Sequence, residues 1–255
     1  MEASQPDAAP GSGGHGTLEI LGVIKLFEDN GIACCVIGTS ALKYFGAWRI
    51  RHDWELCVPT ELLEKASSLL RSDPHDTIFE PAKHERPQIR SLIHTFPRFK
   101  FKGINLFFDL VPAHDAHIIC HPSNFEWSRT GLPYPKLDSY AQSLLDTLSW
   151  VDITDLIDGM DLTEEWGATH LDLDKTNDVA WAFDKNEKIR ASVPLTLGSC
   201  FLEVDEGPLS LREIWDNEVR TKAKRLGEET PKEVYLTRFR VRGSRDPRLT
   251  KEAFA

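Results

Sequence analysis

VIGTSALKYFGAWRIRHDWELCVP, residues 36–59, reads as an apolar strand, a small-residue turn, a short helix and a second apolar strand that carries two acids. Asp53 and Glu55 are one residue apart, so on a strand their side chains point to the same face, about 7 Å from each other. Two carboxylates placed this way repel and are costly to bury without a cation. Mg²⁺, a hard ion, takes oxygen ligands and would relieve that cost. From the spacing alone, the first reading is plainer: an exposed edge strand with its acids in water.

Upstream, residues 1–16 are rich in Gly, Pro, Ala and Ser and predict a mobile tail. Thr17 is a plausible N-cap for a helix carrying Leu18, Leu21, Ile24, Leu26 and Phe27, which Asn30-Gly31 stops. Ile32–Ile37 is a continuous apolar run, the pattern of a strand covered on both faces. Gly38-Thr39-Ser40 turns the chain into a short helix, Ala41–Phe45, that ends at Gly46. Trp54–Val58 forms the second strand. Pro59 halts it, and Thr60 caps an amphipathic helix over Glu61–Arg71.

Downstream, Phe96–Lys102 alternates apolar and basic residues and Gly103 turns it into Ile104–Val111, a predicted β-hairpin. Asp109 sits there inside Leu-Phe-Phe-Asp-Leu-Val-Pro. An acid among such neighbours is expensive unless hydrogen-bonded or metal-bound, or unless it faces water across the sheet. Pro122 to Pro135 suggests a linker, Ser139–Leu148 a helix, and Ser192–Leu202 an extended segment. Leu209–Leu226 reads as a helix, with Ser210 and Glu213 as a capping box. Trp150–Asp178 holds nine acids against one lysine, and Arg220–Lys251 eleven basic residues against four acids. The second run is either a solvated face or a docking surface for an acidic or phosphate-rich partner.

The chain has 255 residues, 41% of them hydrophobic, enough for a proper core in one large domain or two smaller ones. A net charge of −10 argues against a general nucleic-acid binder. No apolar run approaches the length of a membrane span and no signal pattern opens the chain, so the expectation is a soluble, cytoplasmic protein. Cys34, Cys35, Cys57, Cys120 and Cys200 show neither C-x-x-C nor zinc spacing, and they read as reduced, largely core thiols. His114, His117 and His121 lie between two prolines and read as ordinary loop histidines.

The order of helix, strand, Gly-Thr-Ser turn, helix, Asp-x-Glu strand and a distant Asp on an apolar strand resembles the nucleotidyltransferase fold, notably its minimal and antibiotic-modifying members. Ile37-Gly38-Thr39, Asp53-Trp54-Glu55-Leu56 and Phe108-Asp109-Leu110 carry the resemblance, which covers about residues 18–120. The whole chain resembles a fungal branch of that fold. The resemblance implies an α/β (α+β) architecture, a mixed sheet flanked by helices, with a mainly helical C-terminal region. It divides the chain into a tail (1–16), a nucleotidyltransferase-like core (17–121) and an acceptor or cap region with a basic tail (122–255). It implies a Mg²⁺-dependent enzyme that moves NMP from ATP or another NTP to a hydroxyl or carboxylate of a small molecule or protein. Nucleic acid is a less favoured acceptor and no membrane is involved. By the same resemblance, Asp53, Glu55 and Asp109 hold metal and do the chemistry. Gly38, Thr39, Ser40, Lys43 and Arg49 contact the triphosphate. Two readings stand beside this one: an inactive nucleotide-binding or scaffold protein of the same fold, and an interaction module built on the acidic and basic segments.

Overall fold

The computed structural model describes residues 8–11, 15–84, 86–193 and 203–250. Helix α1 (Thr17–Asp29) leads to β1 (Cys35–Ile37), and α2 (Gly38–Tyr44) starts at the very next residue. Then come β2 (Trp54–Val58), α3 (Leu63–Arg71), β3 (Phe79–Ala82), β4 (Arg98–Phe101) and β5 (Phe107–Pro112). The five strands form one sheet in the order β1-β2-β5-β4-β3. β2 and β5 run parallel, while the other neighbouring pairs are antiparallel. The architecture is mixed α/β with a mixed sheet, as the pattern of elements predicts.

The register sorts the side chains into two unlike faces. Trp54, Leu56, Phe99, Phe108 and Leu110 share one face and are fully buried. The rings of Phe79, Phe99 and Phe101 all lie within 6 Å of Phe108, at centroid distances of 5.9, 5.7 and 5.7 Å. α3 covers this face, with its Arg71 guanidinium over the Phe99 ring. The opposite face carries Glu55, Asp109, Arg98 and Lys100 toward one end and Cys35, Cys57 and Val111 toward the other. Polar residues on a covered face need partners, and this is where the functional question lies.

The chain continues through α4 (Ala113–Ala116), β6 (Phe125–Trp127), β7 (Pro133–Pro135), α5 (Leu137–Asp146), α6 (Trp150–Met160), α7 (Glu164–His170) and α8 (Val179–Ser192). It then forms α9 (Leu211–Arg220), the hairpin β8 (Tyr235–Thr237) and β9 (Arg240–Val241), and α10 (Pro247–Thr250). Among the described residues, the main hydrophobic cluster runs through both halves, from Ile20 to Trp215, with two small ones beside it around Ile189 and Trp181.

Several expectations need correction. The prolines of 122–135 do not mark a linker: Pro122 opens a 3₁₀ turn, Pro133 and Pro135 lie in the β6–β7 hairpin, and Tyr134 between them is fully buried and stacks on Tyr44 at 4.2 Å. Part of the expected tail is tied down, because Ala8 bridges to Ile104 and the His15 carbonyl accepts from the Trp54 indole at 3.1 Å. Gly16, not Thr17, occupies the N-cap of α1. Thr60 opens a 3₁₀ turn, and its hydroxyl accepts from the His114 backbone N–H at 2.9 Å instead of capping α3. The Ser210 cap is present, with Oγ accepting from the Glu213 N–H at 3.3 Å, but its helix ends at Arg220. The extended segment expected over Ser192–Leu202 lies almost wholly outside the described residues.

The acidic and basic segments pair with each other inside the molecule. Arg225 grips Asp158 through two bonds, 2.7 and 2.8 Å, and Arg238 lies 2.7 Å from the same carboxylate. Arg238 also binds Asp155, Lys222 binds Asp161 at 2.7 Å, and Arg220 binds Glu164 at 2.6 Å. Asp158 is fully buried, so its cations offset a desolvation cost that solvent cannot. Arg225→Met should therefore cost about 3 kcal/mol in urea unfolding, as removal of one partner of a buried ion pair does. A loss of less than about 1 kcal/mol would mean that Arg238 alone satisfies Asp158.

Candidate functional site

Glu55 and Asp109 lie directly opposite one another across the parallel pair β2–β5, a spacing of about 4.8 Å between strands. Asp53 precedes Glu55 by two residues, at the start of β2. Arg98 is the cross-strand partner of Asp109 on β4, and its Nη2 donates to Asp53 at 2.8 Å. Its guanidinium also lies over the Phe107 ring at 4.3 Å. Asp109 is 1% exposed and hydrogen-bonded to His84 Nε2 at 2.6 Å. Asp109 is thus a buried acid rather than one facing water across the sheet.

The charges feel one another. Burial first, then the Asp53 and Glu55 carboxylates, push Asp109 up to about 8. Burial, then Asp152 and Asp53, push Glu55 up to about 7, against a backbone N–H donated by Thr39. Burial and Arg98 hold His84 below its ordinary value, so the His84–Asp109 pair is best described as sharing one proton. The three carboxylates are neighbours in charge but not a closed cluster: among the described residues, the one set of three or more His, Cys, Asp or Glu ligand atoms within 4.8 Å of each other is made of cysteines.

Gly38 explains how β1 meets these acids. It has φ +61°, and a Cβ built there would stand 2.1 Å from Glu55 Oε1. Only glycine lets the turn back against the carboxylate in this way. Tyr140 Oη on α5 donates to the Gly38 carbonyl at 3.2 Å, fixing the turn from the other side. A cavity of about 620 Å³ opens beside it, lined among others by Gly38, Thr39, Arg49, Glu55, Asp152 and Lys185. That size is typical of small-molecule sites, about 300–1,000 Å³.

The predicted phosphate contacts divide. Thr39 lines the cavity, while Ser40 is buried and accepts from Arg51 Nη1 at 3.3 Å. Lys43 donates to the Arg49 carbonyl at 3.3 Å, and burial, then Arg51, lower its pKa. Arg49 reaches across to α6, where it binds Asp152 at 3.0 Å and also Asp155. Arg51 turns away from the acids and lies over the Trp54 indole, 3.7 Å from its centroid; burial pushes it down to about 10. Trp54 is fully buried, whereas Trp48 is 77% exposed. His114 and His117 sit 3.8 and 3.6 Å from Asp184 and Asp178; His114 is exposed, whereas His117 is half-buried with its ring edge-on to Trp181. His84 and Asp152 belong to the site but have no sequence signal: one lies in a loop of prolines and charges, the other among many acids.

The chain matches no protein-family model and no curated protein.

The raised carboxyls set a pH dependence. Below about pH 4 they are protonated in both folded and unfolded chains and contribute nothing. As pH rises toward 8, the unfolded chain ionises them while the folded chain resists, so stability falls across that window. Asp109→Asn should remove more than about 1.4 kcal/mol of that fall, one pKa unit's worth, in urea unfolding at pH 5 and pH 8. An unchanged pH slope in the variant would show that Asp109 is ionised at neutral pH.

Proposed function

We propose that the chain is a Mg²⁺-dependent nucleotidyltransferase, moving NMP from ATP or another NTP to a hydroxyl or carboxylate of a small molecule or protein. The observation that carries this reading is the register that sets Glu55 against Asp109, with Asp53 two residues before and the Gly38 turn backed onto the Glu55 carboxylate. The donor set fits the ion: three oxygen ligands suit a hard cation, and Glu55 and Asp109 are held protonated by surroundings that a positive charge would reverse. When bound, Mg²⁺ supplies charge neutralisation at the transferred phosphorus and at the leaving pyrophosphate.

The chain's own groups supply the rest. Asp53, just before β2, and Glu55 on it would hold the ion. Asp109, with a pKa near the working range of a general base, takes the proton of the acceptor hydroxyl or adds a further carboxylate ligand. Thr39, with Lys43 beside the turn, offers a hydroxyl and a cation to phosphate oxygens. An anion there would offset the burial and the Arg51 repulsion that lower Lys43. The helical region beyond residue 122 contributes Tyr140, Asp152 and Lys185 around the cavity, a suitable wall for the acceptor.

The partners already on two of the acids favour a second reading, a fold that binds nucleotide without transferring it. Arg98 pairs with Asp53, and His84 shares a proton with Asp109, so both carboxyls are engaged where a metal would bind. Thermal melts with ATP, with and without Mg²⁺, separate the two. The transferase should gain about 2–4 °C only when Mg²⁺ is present, and Asp53→Asn should abolish the gain. It should also release pyrophosphate in a panel of NTPs. A shift independent of Mg²⁺ supports nucleotide binding alone and overturns transfer.

A further inference from the structure

Three cysteines remote in sequence bring their sulfurs together beneath the polar face of the sheet. Cys35 and Cys57 are direct partners across β1–β2. Cys120 reaches them from the loop after α4, with its Sγ 3.4 Å from Cys57 Sγ. All three sulfurs lie within 4.8 Å of one another. Cys35 and Cys57 are fully buried, and Cys120 is half-buried. Cys34, the adjacent residue on the chain, is buried outside this group.

Three sulfurs each about 2.3 Å from a common centre, in one plane with it, stand about 4 Å apart. A disulfide instead needs about 2.05 Å between two sulfurs and leaves the third unused. We propose that Cys35, Cys57 and Cys120 form a three-coordinate binding site for a soft monovalent cation, Cu(I). Soft sulfur ligands select this ion. Zn²⁺ is almost always four-coordinate in a structural site, and no fourth His, Cys, Asp or Glu joins the group among the described residues.

Each sulfur would bind the ion as a thiolate, so uptake would release protons. The half-buried position of Cys120 gives the ion its approach. None of this depends on the nucleotidyltransferase reading, since no carboxylate takes part.

The test is an anaerobic titration of the fully reduced protein with Cu(I), supplied as its acetonitrile complex, against the chromophoric chelator bicinchoninate. The protein should withdraw one equivalent and show a near-ultraviolet thiolate-to-copper band. Cys120→Ser should weaken uptake at least about 100-fold, the scale at which even outer partners of a metal site matter. Cys34→Ala should leave it unchanged. Failure of the wild-type protein to withdraw copper overturns the proposal without appeal to any variant. So does equal uptake by Cys120→Ser when its circular dichroism matches the wild type. A parallel titration with Zn²⁺ that shows tighter binding than Cu(I) overturns the choice of ion.

Discussion

The constraint on which this molecule turns is the confinement of negative charge between two parallel strands. Once β2 and β5 pair in the observed register, Glu55 and Asp109 must face each other, Asp109 buried and Glu55 open only to the cavity. Everything nearby answers that problem. Arg98 leans across to Asp53, His84 closes on Asp109, Thr39 gives a backbone N–H to Glu55, and the two carboxyls rise toward neutral pH. Such an arrangement weakens a fold, and folds hold it where the chemistry needs it. A solvated edge strand would need none of these partners.

The same problem recurs elsewhere with a different answer. On α6, Asp155 and Asp158 are buried just as deeply, but arginines from α2's following loop, from the segment after α9 and from the β8–β9 hairpin meet them. These acids are structural: the cations are fixed in paired geometry and the helix is held by them. The acids of the sheet are answered by one arginine and one histidine for three carboxylates. That difference in compensation is what makes the sheet acids the candidate site and the α6 acids a brace.

Much of this is written in local sequence. The apolar runs around Val36, Leu56 and Leu110 specify strands. Asp-x-Glu specifies a shared face, and Gly38 marks the turn. What the chain does not reveal locally is tertiary. His84 sits in a stretch with no periodicity, and nothing in its neighbours points to Asp109, 25 residues away. Arg51, adjacent to His52 and two residues from Asp53, reads as a cation crowding the acids, yet stacking on Trp54 carries it to the other side of the turn. The prolines at 133 and 135 look like a linker because proline usually avoids strands. Here they lie in a three-residue strand beside one partner, where the missing donors are tolerated. The cysteines show no spacing motif because their meeting is made by strand register and a loop, not by sequence distance.

The pairing of Asp155 and Asp158 with Arg238 and Arg225 has a consequence for the order in which the protein is made. The partners are 83 and 67 residues apart, and the acids leave the ribosome first. Until the arginines follow, Asp155 has only Arg49 and the fully buried Asp158 has neither of its arginines, so the helix is not yet held against the sheet. A later-made segment therefore locks an earlier element, and folding of the helical layer waits until Arg225 and Arg238 have emerged.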